Sequence, residues 1–195
     1  MILEKYTPNW IAHFLDIKQE IENGLIGIEF RIEHVGSTAV ANLDAKPIID
    51  IDIVYQQEAD LENIKRGLMD LGYFHNGNQG IQFREVFKRN GIFHHPVLDS
   101  IPHHLYACPI NSGPLERHVL FRDFLRKNDW ARITYQEMKY HLAEKADQDR
   151  KRYAELKELN VNAFVDECIA KEKQSTRCLF KDFGDLKSRL DSSVV

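Results

Sequence analysis

The sequence predicts an α/β (α+β) domain, with strands and crossing helices first and a helical C-terminal third packed on the same core. Three observations carry this. Ile28, Phe30 and Ile32 alternate with Glu29, Arg31 and Glu33, the period-2 pattern of a strand. Ile48 to Val54 is a β-branched apolar run broken only by Asp50 and Asp52. From Pro114 onward the apolar residues recur at helical spacing.

In chain order, Thr7-Pro8 reads as a helix cap and first helical position. Trp10, Phe14, Ile17, Ile21 and Leu25 then follow one helical face. The strand from Ile28 to His34 is broken by Gly36-Ser37-Thr38, and the strand from Ile48 to Val54 is followed by a helix from about Glu58 to Leu71, ended by Gly72. Phe83 to Lys88, Ile92 to Leu98 and His104 to Cys108 read as strands between Gly and Pro punctuation. Leu115, Val119, Phe124 and Leu125 mark a helix, with longer ones over Ala131 to Asp147 and Arg150 to Lys171. The expected organisation is one domain over 1–172, strand-rich over about 26–110 and helical over about 114–172, with a polar tail at 173–195 ordered at most in part.

A length of 195 residues suffices for one sizeable core. The apolar fraction of 43% and charged fraction of 29% are those of an ordinary folded protein. A net charge of -4 argues against a dedicated nucleic-acid binder, though not against a local basic pocket for a nucleotide. Cys108, Cys168 and Cys178 form no CxxC pair, which argues against a disulfide framework or a zinc site. No secretory leader pattern and no long apolar run is present, so the expected setting is the cytoplasm, without a membrane partner.

The informative segment is His34-Val35-Gly36-Ser37-Thr38, followed by Lys46-Pro47-Ile48-Ile49-Asp50-Ile51-Asp52-Ile53. Alternation along a strand puts Asp50 and Asp52 on one face, about 6–7 Å apart from the strand rise. At an effective dielectric near 20 their charges repel by roughly 2–3 kcal/mol. An interior strand tolerates this only with a raised pKa, a cationic partner or a bound metal. Mg²⁺ or Mn²⁺ favours such oxygens and keeps water and phosphate ligands, which suits a nucleoside triphosphate. Gly36 lets backbone amides approach a phosphate, Ser37 and Thr38 add hydroxyls, and Lys46 adds charge at the same mouth. The competing reading is a plain turn followed by a solvated edge strand.

These residues resemble the signature of the GrpB family, a branch of the polymerase-β-type nucleotidyltransferases. The resemblance rests on His34-Val35-Gly36-Ser37-Thr38 and Ala45-Lys46-Pro47-Ile48-Ile49-Asp50-Ile51, and runs from about Trp10 to Ile169. Leu71-Gly72-Tyr73, Phe87-Lys88, His104-Leu105-Tyr106, His118 and Phe121 to Arg126 agree with it. It implies a short mixed sheet with flanking helices, carrying the Gly-Ser turn and the acidic strand. Two departures stand out. Ala39-Val40-Ala41-Asn42-Leu43-Asp44 replaces the family's Ser-Val-Pro-Gly-Leu-Ala, and His104 lies on the strand where the superfamily places a third carboxylate.

His94-His95 and His103-His104 are adjacent pairs, so at most one of each faces a given site. His104, sharing a face with Tyr106, is the pocket candidate and the one suggestion for a general base. His34 is read as orienting a phosphate, bonding Asp50, or simply structural. Arg84 and Lys88, four apart on one strand, and Arg122 and Arg126, one helical turn apart, are candidate phosphate ligands against a solvated-stripe alternative. Arg84 and Arg122 are preferred because the resemblance covers them.

The function expected is metal-dependent transfer of a nucleotidyl group from a nucleoside triphosphate to an unspecified acceptor. Asp50 and Asp52 would hold the metal, with His104 catalytic beside them. Gly36, Ser37, Thr38, Lys46, Arg84 and Arg122 would hold substrate or phosphate. The alternative is a non-catalytic module binding a nucleotide or other phosphate-bearing small molecule, assisting a partner enzyme.

Overall fold

A computed structural model describes residues 2–89 and 91–191, with side chains through 175. The elements are α1 (Asn9–Gly24), β1 (Arg31–Val35), β2 (Ile49–Tyr55), α2 (Glu58–Asp70), β3 (Tyr73–His75), β4 (Glu85–Arg89), β5 (His103–Pro109), α3 (Gly113–Lys127), α4 (Asp129–Lys145) and α5 (Arg150–Asp191). A single 3₁₀ turn, Ser37–Ala39, follows β1. The five strands form one mixed sheet in the order β1-β2-β5-β4-β3. Only β2 and β5 run parallel; the other neighbours are antiparallel.

The two faces of β2 divide the molecule. Ile49, Ile51 and Ile53 point to one side, where they pack with Trp10, Phe14, Ile17 and Ile21 of α1 and Leu61, Ile64 and Leu68 of α2. The α1 residues are those that helical spacing picks out, and burying each large aliphatic side chain is worth about 1.5–3 kcal/mol. A capping box between Gln57 and Asp60 closes the start of α2. The opposite face of β2 carries Asp50, Asp52 and Val54. There α3 docks through Leu115 onto Val54 and Cys108. The C-terminal helices build a second core with Leu3, Val40 and Leu43, including Phe124, Leu125, Tyr135, Leu142 and Val161. A cleft opens between this helical bundle and the acidic part of the sheet face.

Several expectations need correcting. Ile92 to Leu98 is not a strand: the segment is bends and turns, Ile92 and Phe93 are exposed, and Asp99 accepts the His95 N–H where a strand partner would have been. Pro96, which lacks an N–H, also interrupts any ladder there. β1 begins at Arg31 rather than Ile28, because its first partner, Val54, lies one residue before β2 ends. β4 begins at Glu85, leaving Arg84 before the strand rather than on it. The three-residue β3 went unread. α1 starts at Asn9, one residue after Pro8, with the Thr7 hydroxyl accepting the Asn9 N–H at 3.3 Å. α5 continues past residue 172 to Asp191, and the Cys178 side chain lies outside the described ones.

The loop after the 3₁₀ turn bends at Ala41-Asn42, where Asn42 takes a φ of 59°. Asparagine tolerates this left-handed conformation better than most side chains.

Candidate functional site

Asp50 and Asp52 share one face of β2, as their spacing required. Each meets a histidine from a different element. Asp50 Oδ1 lies 2.9 Å from Nδ1 of His104, its register partner on β5. Asp52 is fully buried, and its Oδ2 lies 2.8 Å from Nδ1 of His118 on α3. The second oxygen of Asp52, Oδ1, has no hydrogen-bond partner among the described residues. A buried carboxylate oxygen without a donor is costly.

Gly36 stands directly beside Asp50. Its φ is 72°, and a methyl group on its Cα would overlap Oδ2 of Asp50. Only glycine satisfies both the backbone conformation and the close approach. Thr38 is buried, its hydroxyl donating to the Ile48 carbonyl at 3.3 Å. That leaves its oxygen to accept from His34 Nε2 at 3.1 Å. Thr38 and His34 therefore tie the Gly-Ser turn to the entry of β2. His34 stacks on Phe14 at 4.6 Å between ring centroids, and burial, helped by Arg126, pushes its pKa down to about 4.

The cleft above Asp50 has a volume of about 460 Å³. Its floor is Gly36, Ser37, Asp50, His104 and Tyr106, and its walls come from α3, α4 and α5. Three lysines line it: Lys46, Lys139 and Lys157. Lys139 is almost wholly buried, donates to the Asp44 carbonyl, and lies 3.4 Å from the Ser37 hydroxyl. Burial, and then the neighbouring charge of Lys157, pull its pKa well below the usual lysine value. Lys157 is the converse case. Tyr135 first, and Tyr153 and Asp50 with it, hold its ammonium more firmly charged than a free lysine. Lys46 donates to the Arg150 carbonyl at 3.2 Å and lies over the Tyr153 ring. Lys157, with Lys46, places positive charge at the wall of the cleft and concentrates positive potential on whatever occupies it.

The residues singled out in the sequence thus divide. Gly36, Ser37, Thr38, Lys46, Asp50 and His104 line one cleft, and Asp52 lies beneath it, reached through His118. Arg122 also borders it, but its guanidinium is already engaged, with Glu33 at 2.7 Å, the His34 carbonyl at 2.9 Å and Asp123 at 2.8 Å. It clamps α3 to β1. Arg84 is not in this cleft. It lies over the Tyr106 ring, 4.7 Å from the centroid, and lines an adjoining slot that shares His104 and Tyr106 with the cleft. Lys139 and Lys157 were missed, since helical periodicity alone does not say which face of α4 or α5 meets the sheet. His118 appeared only as part of the family resemblance.

The donor set can be tested against a divalent cation. Among the described residues no group of three or more His, Cys, Asp or Glu side chains is arranged to hold a metal. Of the two carboxylates only Asp50 opens on the cleft, where a hard cation would complete its shell with water and phosphate oxygens; Asp52 is fully buried beneath it with one oxygen unpartnered among the described residues.

The chain matches a family model described as GrpB protein over residues 1–171. It is 36% identical over 165 residues to a UPF0157 protein of Pseudomonas aeruginosa, covering 84% of this chain and 65% of that protein's length. It is 30% identical over 173 residues to the glutamate-rich protein GrpB of Alkalihalophilus pseudofirmus, covering 87% of this chain and 94% of that one. Among solved structures, the conserved protein GrpB from Enterococcus faecalis superimposes with a TM-score of 0.71 at 27% identity, over 87% of this chain and 98% of that chain. A mutant Cid1 poly(U) polymerase bound to MgATP superimposes with a TM-score of 0.51 at 11% identity, over 78% of this chain and 50% of that one. The second likeness concerns the fold, which is that of the polymerase-β-type nucleotidyltransferases.

Proposed function

The chain belongs to the GrpB family, and from that premise and the chemistry of its cleft we propose that it binds a nucleoside triphosphate with Mg²⁺ or Mn²⁺ and transfers the nucleotidyl group to a second molecule. One observation carries the reading: Asp50 and three lysines, contributed by separate parts of the chain, line one cleft, with Asp52 buried beneath it. Asp50 and Asp52 would hold the cation, which supplies charge neutralisation to the phosphates. Lys46 and Lys157 bind phosphate oxygens, Lys139 braces the Gly-Ser turn through Asp44 and Ser37, and Gly36 lets the turn lie directly against Asp50.

In the transfer, a nucleophilic oxygen of the acceptor forms a bond to the α-phosphorus. The bond from that phosphorus to the bridging oxygen breaks, and pyrophosphate leaves. His104, bonded to Asp50 through Nδ1, presents Nε2 to receive the acceptor's proton. Lysines that hold the departing phosphates stabilise charge as it develops there.

A second reading has its own support. The strand best suited to carry the superfamily's third carboxylate offers histidines instead, and both aspartates are engaged by histidines. A module that binds a nucleotide or phosphate compound without turnover would use the same lysines. A thermal-shift panel of nucleotides with and without Mg²⁺, followed by mass spectrometry for pyrophosphate, separates the two. Stabilisation with pyrophosphate release supports transfer; stabilisation without release, tried across acceptors, supports the binding module.

A further inference from the structure

β4 and β5 pair only from Glu85–Ala107 to Phe87–Leu105. Past that point Lys88 and Arg89 continue alongside β3, while His103 and His104 continue alongside β2. A slot of about 550 Å³ lies between the parted strands. It is not separate from the lysine cleft, because His104 and Tyr106 form a wall of both.

The polar face of the sheet continues into this slot. Side chains directly paired across a sheet share a face. Asp50 pairs with His104, and Tyr106 pairs with Val86, so alternation brings Lys88 to the same face as the acids. Lys88 is exposed, and no hydrogen bond or ion pair engages its ammonium among the described residues. Arg84 lies flat on Tyr106, with a buried Nε that finds no acceptor among the described residues. The slot's one carboxylate, Asp99, is already bonded to Arg89 at 2.7 Å. Moving across the face, the chemistry therefore runs from carboxylates, through His104 and Tyr106, to two cations that have donors to spare.

We propose that this slot is the acceptor subsite, and that it takes a small molecule carrying a phosphate or carboxylate, held by Arg84 and Lys88. The acceptor role rests on the nucleotidyl-transfer reading; the anion site itself does not. An acceptor anchored there reaches the triphosphate past His104, on the side away from the lysines. Arg84, which does not serve the triphosphate, has its use here.

The test is an NMR titration of the full chain with inorganic phosphate and, separately, acetate, after saturation with Mg²⁺ and the α,β-methylene analogue of ATP. Phosphate is expected to shift the amide signals of Arg84, Lys88 and Tyr106 while the analogue stays bound. A double variant, Arg84→Gln with Lys88→Gln, should weaken phosphate binding at least about tenfold and change analogue affinity by less than about twofold. Thermal unfolding of the double variant checks that it folds. A matching response to acetate makes the acceptor's anion a carboxylate as readily as a phosphate; a response to phosphate alone selects phosphate. The proposal is overturned if phosphate moves only signals of the lysine cleft, or if the double variant binds it as the wild type does. Should the analogue itself fail to bind the wild type, the triphosphate reading falls, and the phosphate footprint still decides the slot.

Discussion

Gly36 leaves to Asp50 the space a side chain would need: with Gly36 at a φ of 72°, a Cβ on it would overlap Oδ2 of the aspartate. The Gly-Ser turn and the acidic strand are thus one construction. Gly36→Ala forces both an unfavourable backbone conformation and a displaced carboxylate. It is expected to destabilise the fold by about 1–3 kcal/mol, measured by denaturant unfolding, and to weaken Mg²⁺-nucleotide binding. A variant as stable as wild type and equally able to bind would show that this contact has no role.

His34 makes stability depend on pH. Its pKa is depressed from an ordinary 6.5 to about 4, so between those values the unfolded chain binds more protons than the folded one. The folded state is therefore fully favoured above 6.5 and progressively less so as pH falls toward 4. At 1.36 kcal/mol per unit the loss is on the order of 3 kcal/mol. His34→Gln should flatten the stability curve in that window, measured by urea unfolding across pH. An unchanged slope would assign the dependence to other groups.

Much of this was legible in the sequence, for physical reasons that differ by residue. Asp50 and Asp52 stood out because strand alternation fixes which side chains share a face, and an apolar strand makes its two charges conspicuous. Trp10, Phe14, Ile17 and Ile21 were legible by helical spacing. Ile92 to Leu98 misled because apolar content imitates a strand wherever Pro96 and the Asp99 turn are overlooked. Arg122 carried the right residue type for a phosphate ligand. Whether its guanidinium was already occupied depended on Glu33 and the His34 carbonyl, far away in the chain. Lys139 and Lys157 became visible only once α4 and α5 were docked.

Arg122→Met tests the clamp. Removing the guanidinium leaves Glu33, Asp123 and the His34 carbonyl without their shared donor. A stability loss of about 3 kcal/mol is expected, typical of breaking a largely buried ion pair. Residual folded protein should keep most of its nucleotide affinity. Intact stability with lost affinity would make Arg122 a phosphate ligand after all.

Asp52→Asn separates stability from function. The substitution keeps the shape and an acceptor for His118, and removes a buried charge whose Oδ1 lacks a donor. Without metal, the variant should be as stable as wild type or more so by about 1–2 kcal/mol, less than the full carboxylate repulsion at this spacing because each aspartate has a histidine partner. Its affinity for Mg²⁺-nucleotide should fall sharply. A variant that loses stability but binds nucleotide normally would make Asp52 a structural acceptor for His118.

The most direct test of the central claim is calorimetric titration of the Mg²⁺-bound ribonucleoside triphosphates into the wild type, Asp50→Asn and Lys157→Met. At least one triphosphate should bind the wild type, and each substitution should weaken it by about tenfold or more, because one removes a cation ligand and the other a phosphate ligand. If no triphosphate binds the wild type, or if both variants bind as it does, the cleft formed by Asp50 and the lysines is not a nucleotide site.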